Sequence, residues 1–178
     1  PVKAYALERG LSVYQPASLR SERSQRELVG LRPDVVVVAA YGKILPPPAL
    51  NTPPHGCLNL HPSLLPRYRG PSPVATAILE GESVTGISLM LLDEGMDTGP
   101  VIAQLEHPLS GRETAETLTA TLFQLGAELL SRELAPWIAG GLTARPQDGA
   151  QATVTRKLER ADGQADWGLP AEALERRR

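Results

Sequence analysis

The chain has 178 residues, 42% of them hydrophobic and 21% charged, which is the balance of a globular domain of ordinary size. No apolar run approaches the roughly 20 residues that cross a bilayer, and a net charge of -2 argues against a protein that coats nucleic acid by bulk electrostatics. The single cysteine, Cys57, lies in an apolar run and has no partner for an intramolecular disulfide, so we expect a reducing, cytoplasmic location.

The first forty residues predict two helices and two strands. A helix over about 2–9 ends at Gly10, a short strand follows around 11–14, and a second helix covers 21–28. The run "DVVVVAA" over 34–40 then lacks polar alternation, which is typical of a strand buried on both faces of a parallel sheet.

The middle of the chain continues the succession of strands and helices. "CLNLHP" predicts a strand, 73–79 a helix, and "TGISLMLL" and "VIAQLEHPL" two further strands on either side of the loop "DEGMDTG". Ser110 and Glu113 form a capping-box pattern before a helix whose apolar face is made by Leu118, Leu122, Leu125 and Leu129. Strands alternating with helices predict an α/β fold with a doubly wound, mostly parallel, Rossmann-like sheet.

The domain organisation follows from these patterns and from the two ends of the chain. We expect one domain over 1–140, a polar and proline-containing linker over 141–165, and the start of a further, truncated domain at 166–178. The chain opens on a helical pattern with no preceding strand, so we also expect the first strand-helix unit of the fold to be missing.

A polar pair at the end of the predicted central strand is the candidate site. Asn59 and His61 are two positions apart, so their side chains point from one face of the strand. Ligands of doubly wound sheets lie at the carboxyl ends of the strands, and an amide beside an imidazole suits a carbonyl oxygen that gains negative charge. The pair therefore predicts an acyl-transfer site.

Such a site also needs a carboxylate that handles a proton. Asp93, Glu94 and Asp97 are the candidates, and Asp97, between Gly95 and Gly99, is favoured because small neighbours leave its path to His61 open. Taken singly, each of the three residues has an ordinary explanation: Asn59 as a turn amide, His61 as a structural histidine, and Asp97 as a turn former.

Two motifs together resemble a known family. "NLHPSLLPRYRG" followed by "GMDTG" resembles the formyltransferases that use 10-formyltetrahydrofolate. The resemblance implies that Asn59, His61 and Asp97 are catalytic, that Ser63, Leu64, Leu65 and Pro66 contact the folate co-substrate, and that "AYGKIL" forms another wall of its pocket. It implies no metal, and His55, His61 and His107 have no metal-ligand spacing. Two interpretations stay open for Arg67 and Arg69: contact with a phosphate, or a solvated position in the loop.

The tail points to one branch of that family. "MDTGPVI", Lys157–Leu158 and Asp166–Trp167 resemble the branch that formylates methionine on initiator tRNA, although Pro62 is commoner in the other branches. The resemblance implies folate and initiator methionyl-tRNA as partners, no membrane, and a monomer. Two alternatives stay open: a formyltransferase acting on a sugar-nucleotide amine or glycinamide ribonucleotide, and a noncatalytic folate-binding fragment.

Overall fold

The computed structural model describes residues 2–177, which contain a four-stranded sheet in the order β1-β2-β3-β4. The strands are β1 (Val36–Ala39), β2 (Cys57–His61), β3 (Val84–Leu91) and β4 (Val101–Pro108). β1 and β2 are parallel, whereas β3 is antiparallel to both of its neighbours. The α/β class is confirmed, but the sheet is mixed rather than mostly parallel, because β3 and β4 form a hairpin around the "DEGMDTG" loop.

Six α-helices accompany the sheet within residues 2–177: α1 (Val2–Glu8), α2 (Glu22–Gly30), α3 (Pro47–Leu50), α4 (Pro73–Leu79), α5 (Ala115–Ile138) and α6 (Ala171–Glu175). The helices predicted over 2–9, 21–28 and 73–79 are confirmed. The strand predicted around 11–14 is wrong. Leu11 and Tyr14 are more than half exposed, and no described strand pairs with this segment. None of the described helices has the length and apolar character needed to cross a membrane.

The strand β1 also differs from its prediction. It was expected to be buried on both faces, yet its residues alternate between partly buried and exposed positions, and Val37 is 40% exposed. In the described sheet β1 lies at the edge and pairs with β2 alone. The apolar run therefore predicted the strand correctly but not its surroundings.

The helix α5 covers β3 and β4 and closes the core. Its N-cap is Thr114, whose hydroxyl accepts a hydrogen bond from the Thr117 amide at 3.2 Å. The capping box predicted at Ser110 and Glu113 is wrong, because the Glu113 carboxylate instead closes a separate turn through the Ser110 and Gly111 amides. The predicted apolar face of the helix is confirmed, with Leu118, Leu122 and Leu129 fully buried.

The core lies between this helix and the central strands. Its buried members come from β2, α4, β3, β4 and α5: Leu58, Leu60, Val74, Ile87, Leu89, Ile102, Leu118, Leu122 and Leu129. Gly126 lets α5 approach closely, since a Cβ there would lie 3.2 Å from Ile87 and 3.3 Å from Leu60. The packed core therefore holds β2 rigidly, and β2 carries the predicted site.

Part of the segment predicted as a linker pairs with the start of β4 and with the loop after β2. Residue Arg145 pairs with Val101 at the start of β4, and Val154 pairs with Arg69 in the loop after β2. We call residues 143–156 the strap. The boundaries predicted at 140 and 165 stay a prediction, but the strap touches the loops on which the candidate site is built.

Candidate active site

Asn59 and His61 open into one cavity of about 600 Å³ at the carboxyl end of β2. Its walls come from the end of β1, the loop over 40–45, the start of α4, and the loop between β3 and β4. Asp97 lies on that last loop and also lines the cavity. The fold thus brings together three residues that the sequence separates by as many as 38 positions, from Asn59 to Asp97.

His61 is almost fully buried, with 4% of its surface exposed. Its Nε2 lies 2.9 Å from the backbone carbonyl of Tyr68. A carbonyl oxygen only accepts hydrogen bonds, so Nε2 carries a proton and donates it there. In the neutral imidazole the lone pair is therefore on Nδ1, the nitrogen that faces Asp97.

Asp97 is held beside that nitrogen. Its Oδ2 lies 3.6 Å from His61 Nδ1, too far for a direct hydrogen bond, and accepts a hydrogen bond of 2.8 Å from the Gly70 amide. The neighbouring Asp93 turns away, because its carboxylate accepts hydrogen bonds from the Gly95 amide and the Thr98 hydroxyl within the same loop. Of the candidate carboxylates, Asp97 is the one for which the structure gives a contact with His61.

Burial and charge act on His61 in opposite directions. Burial is the largest influence and lowers the pKa of His61 from its usual 6.5, while the Asp97 carboxylate and the Tyr68 carbonyl favour the protonated ring and oppose the shift. The ring is consequently neutral near pH 7, with a carboxylate placed to stabilise it once it accepts a proton.

Asn59 supplies the amide. Its side chain is partly buried and lines the cavity, and among residues 2–177 no protein group forms a hydrogen bond with it. An amide NH₂ without a protein partner at a cavity wall is available to donate to a ligand oxygen.

The loop after β2 is locked by interactions that its sequence did not show. Tyr68 has a φ of 59°, and its hydroxyl donates to Glu82 and accepts from Arg67 at 2.9 Å. Burial, followed by the hydrogen bond to Glu82, raises the pKa of Tyr68 to about 12, so the hydroxyl keeps its proton. Arg67 pairs with Glu82 and Arg69 with Gln147, so both arginines have protein partners.

The segment Ser63–Pro66, predicted to contact folate, is bonded into the loop and to the neighbouring strand β3. Ser63 is fully buried and donates to the Arg67 carbonyl at 2.7 Å, and the Leu65 amide donates to the Ser88 hydroxyl at 3.1 Å. The described lining of the cavity includes none of the four residues. It does include the whole "AYGKIL" segment, 40–45, whose contact with folate stays a prediction.

Several supporting residues were missed by the sequence reasoning. Ser88 and Gln104 on the β3–β4 hairpin bind the loop after β2, and Gln147, Thr153 and Thr155 bind it from the strap. A lone serine in an apolar strand was a signal for Ser88, whereas the strap residues stand in a polar stretch that gave none. Within residues 2–177 no group of three or more His, Cys, Asp or Glu side chains is arranged to hold a metal ion.

Comparisons with known proteins show the family of this chain. Residues 1–134 match the family described as "Formyl transferase". The methionyl-tRNA formyltransferase of Chloroflexus aggregans is 53% identical over 99% of this chain, and that of Marinobacter nauticus is 45% identical over the same share. The chain spans 57% of the length of each of these relatives.

Solved structures show the same fold at low identity. A sugar N-formyltransferase from a Shewanella species superimposes with a TM-score of 0.78 at 20% identity, covering 98% of this chain and 69% of that one. HypX from Aquifex aeolicus, in complex with tetrahydrofolic acid, superimposes with a TM-score of 0.75 at 21% identity, covering 86% of this chain and 27% of that one.

Proposed function

This chain belongs to the formyl transferase family, and we propose that the protein transfers the formyl group of 10-formyltetrahydrofolate to the amino group of methionine on initiator tRNA. The observation that carries the proposal is the convergence of Asn59, His61 and Asp97 on one cavity. The choice of acceptor is supported by relatives at 45–53% identity that are named methionyl-tRNA formyltransferase.

The cavity suits the folate co-substrate. A flat, partly apolar ligand needs apolar walls with a few polar anchors. The loop over 40–45 lines the cavity and offers apolar side chains for the walls and backbone groups for the anchors. Leu92 and Met96 add apolar surface on the opposite loop, next to Asp97. Solved neighbours crystallised with folinic acid or tetrahydrofolic acid support a folate ligand in this fold.

Formyl transfer begins when the amine attacks the formyl carbon bound to N10 of the folate. The formyl oxygen then gains negative charge in a tetrahedral intermediate, and the Asn59 amide donates a hydrogen bond to it. Asn59 has no protein hydrogen bond in the described chain that would compete with this one. The bond strengthens as negative charge develops on the oxygen, so Asn59 stabilises the intermediate more than the ground state.

His61 carries the proton, and Asp97 stabilises its charged form. As the new C–N bond forms, the amine loses a proton to His61 Nδ1, and the imidazolium then gives that proton to N10 while the C–N10 bond breaks. The products are a formamide and tetrahydrofolate. Asp97 stabilises the transient imidazolium, which burial alone would disfavour. We therefore assign the catalytic roles to Asn59 and His61 and the supporting charge to Asp97.

The domain arrangement, the oligomeric state and the location in the cell are further parts of the proposal. We assign formyl transfer to residues 1–140, with 141–165 connecting them to a further domain that begins at 166–178. We also propose a monomeric, cytoplasmic enzyme, which fits the buried thiol of Cys57. Sedimentation of the purified protein with and without tRNA tests the monomer.

An acceptor assay tests the proposed function. The purified protein is supplied with 10-formyltetrahydrofolate and one of three amines: methionyl initiator tRNA, a nucleotide-linked amino sugar, or glycinamide ribonucleotide. We expect turnover with the tRNA alone. Turnover with another amine would show that this amine, and not the tRNA, is the acceptor. Folate binding without turnover on any of the three would favour a noncatalytic folate-binding role.

Two variants test the assigned residues in the same assay. Asn59→Ala and His61→Ala should each lower kcat by about 10²- to 10³-fold, because each removes a group that acts on the charge developing in the transition state. Circular dichroism should show an intact fold in both. Wild-type turnover in either variant would contradict the assignment.

A further inference from the structure

The strap is hydrogen-bonded to the loop that supplies the backbone partner of His61. The Thr153 hydroxyl accepts from the Tyr68 amide at 2.8 Å, and the Thr155 amide donates to the Arg69 carbonyl at 2.7 Å. The Thr155 hydroxyl also accepts from the Ser72 amide at 3.0 Å. The strap therefore fixes the backbone on both sides of the Tyr68 carbonyl, which accepts the hydrogen bond from His61 Nε2.

Gln147 extends the same strap to the carboxylate on the other side of His61. Its amide nitrogen donates to the Asp97 carbonyl at 2.9 Å and the Gly99 carbonyl at 2.7 Å. Its amide oxygen accepts from Arg69 Nε and Nη2 at 3.0 and 2.8 Å. All four hydrogen bonds join the Asp97 loop to the loop after β2, so one side chain connects the two halves of the site.

The Asp97 loop depends on this connection. Within residues 2–177, hydrogen bonds from elsewhere in the chain to residues 93–99 come from the Gly70 amide and from Gln147. Asp97 also has a φ of 55°, a left-handed conformation that an aspartate adopts at some cost and keeps only when its surroundings hold it. Gln147 binds the carbonyl of this same residue.

We propose that Gln147 is a positioning residue that sets the approach of the Asp97 carboxylate to His61 Nδ1. The proposal rests on the proposed function, since it assigns Gln147 a part in the same proton transfer. A shift of about 1 Å in such a group lowers turnover by roughly 10²-fold without a change in the residues that bind the substrate. Gln147 itself is no part of the described cavity lining.

Isosteric variants of the purified protein separate the two ends of the side chain. Gln147→Met removes all four hydrogen bonds, whereas Gln147→Glu keeps an acceptor for Arg69 and places an oxygen against the Asp97 and Gly99 carbonyls. The matched control is Gln151→Met, an exposed glutamine on the same strap that binds Asp148. Turnover of methionyl-tRNA, KM for the folate, melting temperature and the pH dependence of kcat/KM are measured for each.

We expect both Gln147 variants to lose about 10- to 100-fold in kcat with the KM for folate changed less than twofold, and the control to match wild type. The Asp97 carboxylate raises the pKa of His61, so its withdrawal in Gln147→Met moves the acidic limb of kcat/KM to lower pH. A lower melting temperature with unchanged kcat and an unmoved limb would overturn the proposal, as would wild-type turnover in Gln147→Glu. Absence of turnover in wild type would instead reject the proposed function.

Discussion

At the scale of single residues, the site depends on the unequal surroundings of the two nitrogens of His61. Nε2 is committed to a backbone carbonyl, and Nδ1 faces a carboxylate 3.6 Å away. The ring is therefore oriented by one contact and prepared for charge by the other. Among these contacts, the Asp97 carboxylate is the larger influence that favours the protonated ring, ahead of the Tyr68 carbonyl, which suits the proton transfer proposed for His61.

Replacement of the carboxylate tests this division of roles. Asp97→Asn keeps the shape and an oxygen for the Gly70 amide but removes the negative charge beside His61. We expect kcat to fall by about 10²-fold with little change in folate affinity, measured by turnover and by ligand titration. Asp93→Asn is the matched control on the same loop. A larger loss in that control would show that the wrong carboxylate had been chosen.

The buried imidazole also makes folding stability depend on pH. The pKa of His61 is lowered in the folded state, so the unfolded state binds the proton more tightly. Its contribution is fully present above pH 6.5, the usual pKa, and is lost as the pH falls from there through the lowered pKa of the folded state. We expect the melting temperature of wild type to fall more steeply below pH 6.5 than that of His61→Gln, whose side chain does not titrate. Parallel curves would contradict this.

At the scale of elements, the β3–β4 hairpin supports the site from below. Ser88 lies opposite His61 in the sheet and is fully buried. Its hydroxyl donates to the Ser63 carbonyl at 2.6 Å and accepts from the Leu65 amide and from Gln104 at 3.1 and 2.8 Å. One side chain therefore attaches the loop after β2 to the rigid sheet.

Removal of that hydroxyl should be costly. Ser88→Ala leaves a buried carbonyl and a buried amide without a partner, so we expect the free energy of unfolding to fall by about 1–3 kcal/mol. The matched control is Ser131→Ala on α5, whose exposed hydroxyl bonds to the preceding turn and should change stability by less than about 0.5 kcal/mol. Urea unfolding of both variants gives the comparison, and equal midpoints would contradict it.

At the scale of the whole molecule, the strap joins sequence beyond residue 140 to the body formed before it. Its backbone pairs with Val101 at the start of β4 and with Arg69 in the loop after β2. An unattached linker would make no such ladder contacts. The strap is therefore part of the structure around the site, whichever domain it is assigned to.

Amide hydrogen exchange distinguishes an attached strap from a free linker. The Arg145 and Thr155 amides donate to backbone carbonyls of the body at 2.8 and 2.7 Å, so we expect them to exchange slowly. Lys157, just after the strap, has no backbone acceptor for its amide among the described residues and should exchange rapidly. Fast exchange at all three positions would show that the strap is not held against the body.

Much of the fold was predictable because its signals are local. The period of the leucines in α5, the apolar run of β1 and the alternation that puts Asn59 and His61 on one face are properties of neighbouring residues. The choice of Asp97 came from small flanking residues and from a resemblance between motifs, and the structure places it beside His61.

Pairing, burial and support of the site were decided only by the tertiary structure. No local pattern tells which strand lies next to β1 or in which direction β3 runs, because both depend on partners far away in sequence. The same holds for Ser63–Pro66, where the Leu65 amide and the Ser63 carbonyl bond to Ser88 on β3, and for Gln147, whose four hydrogen bonds reach two distant loops. A hydrogen bond between distant segments leaves no periodic trace in sequence, so the sequence by itself led to the candidate residues Asn59, His61 and Asp97 but not to the residues that hold them in place.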